Sequence, residues 1–443
     1  SSLGLCRWEW LRYGAHGFHA TVRGSRQEMA TFFAISGILL LVASVTANVT
    51  GRALGWMVPL WFLTSAIATE AAVVLLILEW GLLVFATCFL DIDNGKVMLG
   101  VVALVASLFL TARALMRHFD AGALFERALA TGLGPDFRAV IPPLRRHRLR
   151  QQITSTDWLR PLGFSKPGVE VVRDVAYGPA GKRNTLDIYR RRVGNEPRPV
   201  LLQIHGGAWL VGHKAEQALP LLNHMASLGW VCVSINYRLA PKATFPDPII
   251  DVKRAIAWVR DNIADWGGDP NYIAVTGGSA GGHLAALAAL SPNHAPWQPG
   301  FESADTSLQA AMPLYGVYDL CDRAGIRHGT RIDEYILQRL MKTDANRDPA
   351  LFDAASPITW LTPDAPPFFV VQGQSDTLVW VEEARRFVAD YASATKRPLV
   401  YAELPGTQHA FDTILSPRTA HFLNAAAQWL EWSYADWQGR RED

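Results

Sequence analysis

A serine lies at the centre of a short glycine-rich segment that joins an apolar stretch to a helix-forming stretch. Residues 272–275 are apolar, and the segment Gly-Gly-Ser-Ala-Gly at 277–281 then places Ser279 where a strand would turn sharply into a helix. Glycines permit the backbone conformations that such a turn needs, and small neighbours let strand and helix approach closely. The pattern predicts a nucleophile elbow. An ordinary glycine-rich turn has the same short pattern, so other segments must decide between the two.

A second glycine-containing loop follows the apolar stretch at residues 200–204 and begins with His205, Gly206 and Gly207. An acyl-transfer transition state carries negative charge on the former carbonyl oxygen, and backbone N–H groups aimed at that oxygen stabilise it without reorganising. Gly206 and Gly207 are predicted to supply two such groups and Ala280 the third. The loop therefore predicts an oxyanion hole.

An acid and a base follow the serine in the order that a triad on such a fold requires. Asp376 comes shortly after the apolar stretch 368–373, and His409 comes directly after residues 403–408. A lone loop aspartate is usually a turn residue and a lone histidine is usually structural. Four elements in the required order and context favour a catalytic site instead.

Over roughly residues 162–432, the chain resembles the hormone-sensitive-lipase-like branch of the α/β-hydrolases. It departs from that branch at Ala208, which replaces the third glycine of the usual HGGG loop, and at Gly278, where an acidic residue is common. The form His-Gly-Gly-x-Trp, which ends at Trp209, also occurs in bacterial esterases related to arylformamidases. Hydrolysis of esters and of formyl amides therefore both stay open. Two further segments match the family: residues 236–241 and 266–270.

The resemblance implies the roles of the hydrolase template. Ser279 would attack the carbonyl carbon, His409 would take its proton and later return it to the leaving group, and Asp376 would hold the imidazole in the useful tautomer. Neither a metal nor a cofactor is implied.

Residues beside these motifs are candidates for the substrate pocket: His205, Trp209 and Gly278. For His205 the alternative is orientation of the loop by hydrogen bonds, and for Trp209 it is packing in the core. His213 and Lys214 could also touch substrate, but a solvated or structural role is favoured.

Apolar residues dominate the N-terminal part of the chain. Residues 31–49 form an uncharged run of membrane-spanning length, residues 97–115 contain one arginine, and residues 55–90 are apolar except for Glu70 and Glu79. No polar face recurs at helical spacing, which argues against buried helices of a soluble domain. A cleaved signal peptide is not expected, because further apolar runs follow the first. The two glutamates are expected to face a helix partner, to be protonated, or to lie near an interface.

Basic residues follow the last apolar run and end in a cluster at residues 145–150. The positive-inside rule places this side, and the hydrolase after it, in the cytoplasm. Three spans satisfy the rule if the chain starts at Met29, and four spans satisfy it if residues 55–90 form two short ones. Both solutions predict a multi-pass membrane protein.

The predicted organisation has four parts: an N-terminal extension at 1–28, a transmembrane helical region at 29–118, a basic linker or cap segment at 119–161, and a catalytic domain at 162–435. In the last part, apolar strands alternate with amphipathic helices, which predicts the α/β-hydrolase fold, a mostly parallel sheet covered on both faces and carrying a cap.

The predicted function is that of a membrane-anchored serine carboxylesterase or lipase acting on a small-molecule or lipid ester. A net charge of +2 offers no basic face for nucleic acid, and the four cysteines suggest neither a disulfide nor a metal site. The alternatives are an arylformamidase-like amidohydrolase and a non-catalytic ligand-binding protein on a hydrolase scaffold. Retention of the three triad residues argues against the last of these. The natural ester, its acyl chain length and the oligomeric state stay open.

Overall fold

The computed structural model describes residues 5–50, 57–149, 158, 162, 164–192, 196–326 and 331–442. Within these ranges a group of N-terminal helices precedes an α/β unit built on an eight-stranded sheet. The last part of the predicted linker, residues 150–161, lies outside the described residues except for Trp158. Arg150 of the basic cluster is among the residues that are not described.

Within the predicted apolar run at 55–90, residues 58–89 form two helices, which meet at Ala71. By length and composition, three described segments can cross a membrane: residues 26–46, 72–89 and 95–133. The helix at 58–70 has 13 residues and is shorter than the roughly 20 that a span needs. The N-terminal helices are α1 (Leu5–Thr46), α2 (Val58–Glu70), α3 (Ala72–Phe89) and α4 (Gly95–Leu133).

Small and polar side chains join these helices. A Cβ atom on Gly37 of α1 would lie 2.7 Å from the carbonyl oxygen of Gly100 on α4, so these glycines let the two helix backbones approach closely. Glu79 of α3 is buried and accepts hydrogen bonds from Ser107 and Thr111 of α4. For Glu79, the expected helix partner is therefore α4.

The sheet has the strand order β1-β2-β4-β3-β5-β6-β7-β8. β1 pairs with β2, and β2 with β4, in antiparallel fashion, whereas every pair from β4 to β8 along the sheet is parallel. This confirms the prediction of a mostly parallel sheet. The carboxyl ends of its parallel strands meet at one edge. The strands are β1 (Glu170–Ala176), β2 (Thr185–Arg190), β3 (Arg198–Ile204), β4 (Val231–Ile235), β5 (Gly268–Gly278), β6 (Ala310–Leu314), β7 (Phe368–Gly373) and β8 (Leu399–Leu404).

Helices cover both faces of the sheet, and successive side chains of each strand enter different apolar clusters. On β3, Val200 and Leu202 belong to one cluster and Leu201 to the other, which is the alternation that a pleated strand imposes. The remaining helices are α5 (Pro143–Arg148), α6 (Leu219–Ser227), α7 (Asp247–Asn262), α8 (Ala280–Leu290), α9 (Arg331–Met341), α10 (Pro349–Ala355), α11 (Val381–Ala394) and α12 (Pro417–Glu442).

Helix α4 runs without a break from the apolar region onto the sheet. Ala121, Phe125 and Leu129, each one helical turn from the next, are buried in the cluster that also contains Phe369 and Phe422. The Phe125 ring lies 6.4 Å from that of Phe369 on β7 and 6.1 Å from that of Phe422 on α12. The boundary predicted at residue 118 therefore falls inside a helix, and the first part of the predicted linker packs on one face of the sheet.

Candidate active site

Ser279 lies between β5 and α8, where its backbone has φ 58° and ψ −123°. A positive φ is strained for a residue with a side chain and persists only where its surroundings enforce it. Here the Ser279 N–H donates to the Leu314 carbonyl of β6 at 3.0 Å, and the Ser279 carbonyl accepts from the His283 N–H at 2.9 Å. A side chain at Gly281 would collide with the Ile204 carbonyl. The backbone thus has the geometry expected of the predicted elbow.

Asp376 and His409 meet beyond the ends of β7 and β8. The His409 Nδ1 and the Asp376 Oδ2 are 2.7 Å apart, and both side chains are buried. Gln372 Nε2 also donates to Oδ2, at 3.0 Å, whereas Oδ1 accepts the backbone N–H groups of Leu378 and Val379, each at 2.9 Å. These donors leave the carboxylate no freedom to turn away from the imidazole.

Gln408 joins the loop that carries the acid to the loop that carries the histidine. Its side-chain oxygen accepts the backbone N–H of Thr377 at 2.8 Å and that of His409 at 2.9 Å. The pairing of Asp376 with His409 is therefore supported by backbone contacts on both sides.

Tyr315, directly after β6, lies between the serine turn and the histidine. Its ring centroid is 4.6 Å from that of His409, and its hydroxyl donates to the buried carboxyl of Asp412. Burial raises the pKa of the Asp412 carboxyl. A Cβ atom on Gly278 would lie only 2.7 Å from the Tyr315 ring. Gly278, a candidate pocket residue, thus faces Tyr315, and this explains the glycine where the family commonly has an acid.

Among the described residues, no hydrogen bond joins Ser279 to His409. Catalytic hydrogen bonds are often long or poorly aligned until substrate binds. The serine and the histidine share Tyr315 as a neighbour, because the Ser279 N–H bonds to β6 directly before Tyr315.

The loop after β3 lies beside the serine. A Cβ atom on Gly206 would lie 3.1 Å from the Cβ of Ser279. The Gly206 N–H, predicted to stabilise an oxyanion, donates instead to the side-chain oxygen of Gln217 at 2.7 Å. In the described part of the chain, the N–H groups of Gly207 and Ala280 have no hydrogen-bond partner. These two donors are available to a ligand, whereas that of Gly206 is engaged.

Two other candidate pocket residues are packed into the protein. His205 is buried, stacks on the Tyr237 ring at 4.4 Å, and places its Nδ1 2.8 Å from the Gly206 carbonyl. Trp209 is buried and packs edge-on against His283 at 5.0 Å. The burial favours the alternatives of a loop-orienting histidine and a core tryptophan.

The basic residues after this loop differ in their surroundings. The Lys214 ammonium is buried between Asp174 and Asp187, with its nitrogen 2.8 Å from the former. His213 is partly exposed. Lys214 therefore has the structural role that the sequence favoured. Within the described ranges, no group of three His, Cys, Asp or Glu side chains is arranged to hold a metal ion.

Comparisons with known proteins agree with this architecture. The BD-FAE family model matches residues 186–391, which include Ser279 and Asp376 and end before His409. "Probable carboxylic ester hydrolase LipM" of Mycobacterium tuberculosis is 46% identical over 334 residues, covering 71% of this chain and 74% of the relative. "Esterase LipQ" of the same organism is 43% identical over 323 residues, covering 72% and 76%. The chain belongs to this family of carboxylic ester hydrolases.

These relatives confirm the predicted resemblance to hormone-sensitive-lipase-like hydrolases. They also confirm the prediction that the protein is an enzyme that hydrolyses carboxylic esters. A solved structure supports the fold alone. The "truncated form of carbohydrate esterase from gut microbiota" is 23% identical, has a TM-score of 0.53, and covers 61% of the ester hydrolase and 99% of its own chain.

Acid is expected to destabilise the ester hydrolase through His205. Burial lowers the pKa of this imidazole to about 4, whereas an unfolded histidine titrates near about 6.5. Between these values the unfolded state binds more protons, so stability falls as the pH falls from about 6.5 towards 4. Thermal unfolding in detergent at pH 7 and pH 5 measures this loss of stability. The decrease in unfolding temperature between the two pH values should be smaller in His205→Asn than in the unchanged protein.

His213→Asn is the matched control, because His213 lies on the same loop and is partly exposed. Between pH 7 and pH 5, the unfolding temperature of this variant should fall as much as that of the unchanged protein. Equal losses in all three proteins would exclude His205 as the acid-sensitive group.

Proposed function

We propose that the ester hydrolase forms an acyl-enzyme on Ser279, with His409 as general base and Asp376 as the residue that orients it. The observation that carries the proposal is the 2.7 Å contact between His409 Nδ1 and Asp376 Oδ2 at the edge of the sheet where Ser279 occupies a strained turn. This contact keeps the Nδ1 proton on the side of Asp376, which leaves Nε2 free to accept a proton.

Acylation follows from that arrangement. As His409 Nε2 takes the hydroxyl proton, Ser279 Oγ forms a bond to the ester carbonyl carbon, and the carbonyl oxygen becomes an oxyanion. The N–H groups of Gly207 and Ala280 are the available donors for it, and each such donor typically contributes about 10²–10³-fold in kcat. Collapse of the intermediate breaks the bond to the alcohol oxygen, which receives the proton from His409.

Deacylation repeats the sequence with water. His409 takes a proton from water, the resulting hydroxide adds to the acyl carbon, and the bond to Ser279 Oγ breaks as the proton returns to that oxygen. The products are a carboxylic acid and the free enzyme. Gly206 can join the oxyanion donors only if Gln217 releases its N–H, since the two are bonded at 2.7 Å.

We further propose that residues 29–118 anchor the enzyme in a membrane through several spans, with the catalytic domain, residues 162–435, on the cytoplasmic side. The support is the exposure of large apolar side chains on the long helices, such as Phe32 at 71%, Leu39 at 63% and Phe109 at 72%. Lipid can cover such side chains, whereas water cannot do so favourably. The basic residues after α4 support the orientation.

The proposed mechanism is tested by labelling the detergent-solubilised enzyme with a fluorophosphonate and locating the adduct by peptide mass spectrometry. The adduct is expected on Ser279. Turnover of p-nitrophenyl esters of two to sixteen carbons gives the acyl preference, and an N-formyl aromatic amine tests the amidohydrolase alternative. An adduct on another residue, or turnover that persists after complete labelling, would contradict the proposal.

A further inference from the structure

The short helix α2 of the apolar region reaches the candidate catalytic base. The ring of Phe62 lies 6.0 Å from that of His409, with an angle of 76° between the ring planes. This edge-to-face arrangement is one that aromatic rings prefer. A residue of the proposed membrane region therefore contacts the imidazole that would transfer the proton.

The carboxyl end of α2 is fixed to the catalytic domain by a buried ion pair. Glu70 pairs with Arg418 at the start of α12, and it accepts a hydrogen bond from Ser416 Oγ at 2.7 Å. Glu70 is 4% exposed and Arg418 is 1% exposed. Breaking a buried pair leaves an uncompensated charge, so the pair holds α2 firmly against this domain. Glu70 therefore faces a cation of the catalytic domain, which the sequence did not predict.

The loop between β8 and α12, together with the start of α12, holds α2 at two points. Phe62 contacts His409, whereas Glu70, eight residues later, contacts Ser416 and Arg418. Eight residues of helix span about 12 Å, so α2 lies along the loop rather than touching it at one atom.

Part of the surface of α2 is exposed. Leu63 is 54% exposed and Ile67 is 48% exposed. Phe62 itself is half-buried, as is Ser279. Part of the surface of α2 is thus open to lipid in the proposed anchor, while Phe62 borders His409.

The position of Phe62 beside His409 indicates which part of an ester it would meet. The general base of a serine hydrolase returns its proton to the leaving group, so the alcohol oxygen must come within hydrogen-bond reach of the imidazole. A ring packed against the imidazole therefore borders the alcohol side of the ester. An aromatic ring there favours an apolar alcohol chain over water.

We propose that Phe62 is a specificity-determining residue, whose ring forms the apolar wall of the alcohol side of the pocket and selects esters of long apolar alcohols. This inference rests on the proposed function, because it assigns the alcohol side from the role of His409. Such esters partition into lipid, and α2 connects the proposed membrane region to the site that would hydrolyse them.

Two isomeric esters test the proposal in the full-length enzyme in detergent. Decyl acetate and ethyl decanoate have the same composition, but the long chain is on the alcohol side in the first and on the acyl side in the second. Phe62→Ala should lower kcat/KM for decyl acetate by about ten- to a hundredfold, as expected for loss of one apolar aromatic contact with the alcohol chain. Ethyl decanoate should be hydrolysed nearly as well as before, and Phe62→Leu should recover most of the loss.

Leu63→Ala is the matched control, because it shortens the neighbouring side chain, which is exposed. It should leave kcat/KM unchanged for both esters. Equal losses for both isomers would make Phe62 a residue that only positions His409, and would overturn the proposal. A larger loss for ethyl decanoate, or no loss in Phe62→Ala, would overturn it as well. Fluorophosphonate labelling of each variant separates these results from failure of the proposed mechanism, in which the unchanged enzyme would not be labelled on Ser279.

Discussion

Replacing Ser279 by alanine is expected to lower kcat for p-nitrophenyl esters on the order of a million-fold and to abolish fluorophosphonate labelling. The expectation follows from covalent catalysis, because the members of a triad act as a unit and loss of the nucleophile leaves only the oxyanion donors and substrate binding. The fold should be retained. Alanine adds no atoms to the turn, and the contacts that fix the turn are made by the Ser279 backbone N–H and carbonyl groups.

Ser291→Ala is a suitable control for Ser279→Ala. Ser291 directly follows the other end of α8, is buried, and donates its hydroxyl to the Leu287 carbonyl at 2.6 Å. Its loss should cost some stability but leave kcat and labelling unchanged. Residual turnover of Ser279→Ala close to that of the Ser291 variant would exclude the acyl-enzyme mechanism.

The central strands and the order of the site residues follow from local sequence. Strand β7 coincides with the apolar stretch at 368–373, and β3 and β5 contain the apolar stretches at 200–204 and 272–275. Buried parallel strands are short continuous apolar runs, and the glycines on either side of Ser279 mark a turn that few other residues allow. Such signals depend on neighbouring residues and can therefore be recognised in a single sequence.

The surroundings of the predicted triad could not be recognised in this way. Tyr315 and Asp412 are 97 residues apart in the chain, and only the fold brings them together beside His409. The engagement of the Gly206 N–H by Gln217 likewise depends on how a loop closes. An acid three residues after the candidate base was a signal for Asp412, but a pattern of residue types cannot distinguish it from a capping residue.

The contacts between the apolar region and the catalytic domain could not be predicted from the sequence either. Apolar composition predicted helices, but it did not predict that α4 would continue into the core or that Glu70 would pair with Arg418, 348 residues later. An unpaired carboxylate in an apolar run indicates that a partner exists without identifying it.

Replacing Asp376 by asparagine is expected to lower kcat on the order of ten-thousand-fold while leaving the fold intact. The reason lies in the donors around the carboxylate. The backbone N–H groups of Leu378 and Val379 cannot move away from Oδ1, so an asparagine must keep its one oxygen there. Its NH₂ group then points at Gln372 Nε2 and His409 Nδ1, which lie 3.0 and 2.7 Å from the present Oδ2.

This NH₂ group would force His409 into the wrong tautomer. Nδ1 would have to accept a hydrogen bond, so the imidazole proton would move to Nε2, the atom that must take the proton of Ser279. The rate of fluorophosphonate labelling should therefore fall together with kcat, while the unfolding temperature changes little. KM should be almost unaffected, since the carboxylate is buried and lies behind the imidazole.

Asp412→Asn tests whether Asp376→Asn loses activity because His409 adopts the wrong tautomer or because a negative charge near His409 is lost. Asp412 is a second buried carboxyl near His409, and an asparagine oxygen there can still accept from the Tyr315 hydroxyl. The decrease in kcat caused by Asp412→Asn should therefore be far smaller than the decrease caused by Asp376→Asn. If the two variants lost activity equally, charge near the imidazole would be the common cause, and Asp376 would have no special role in orienting His409.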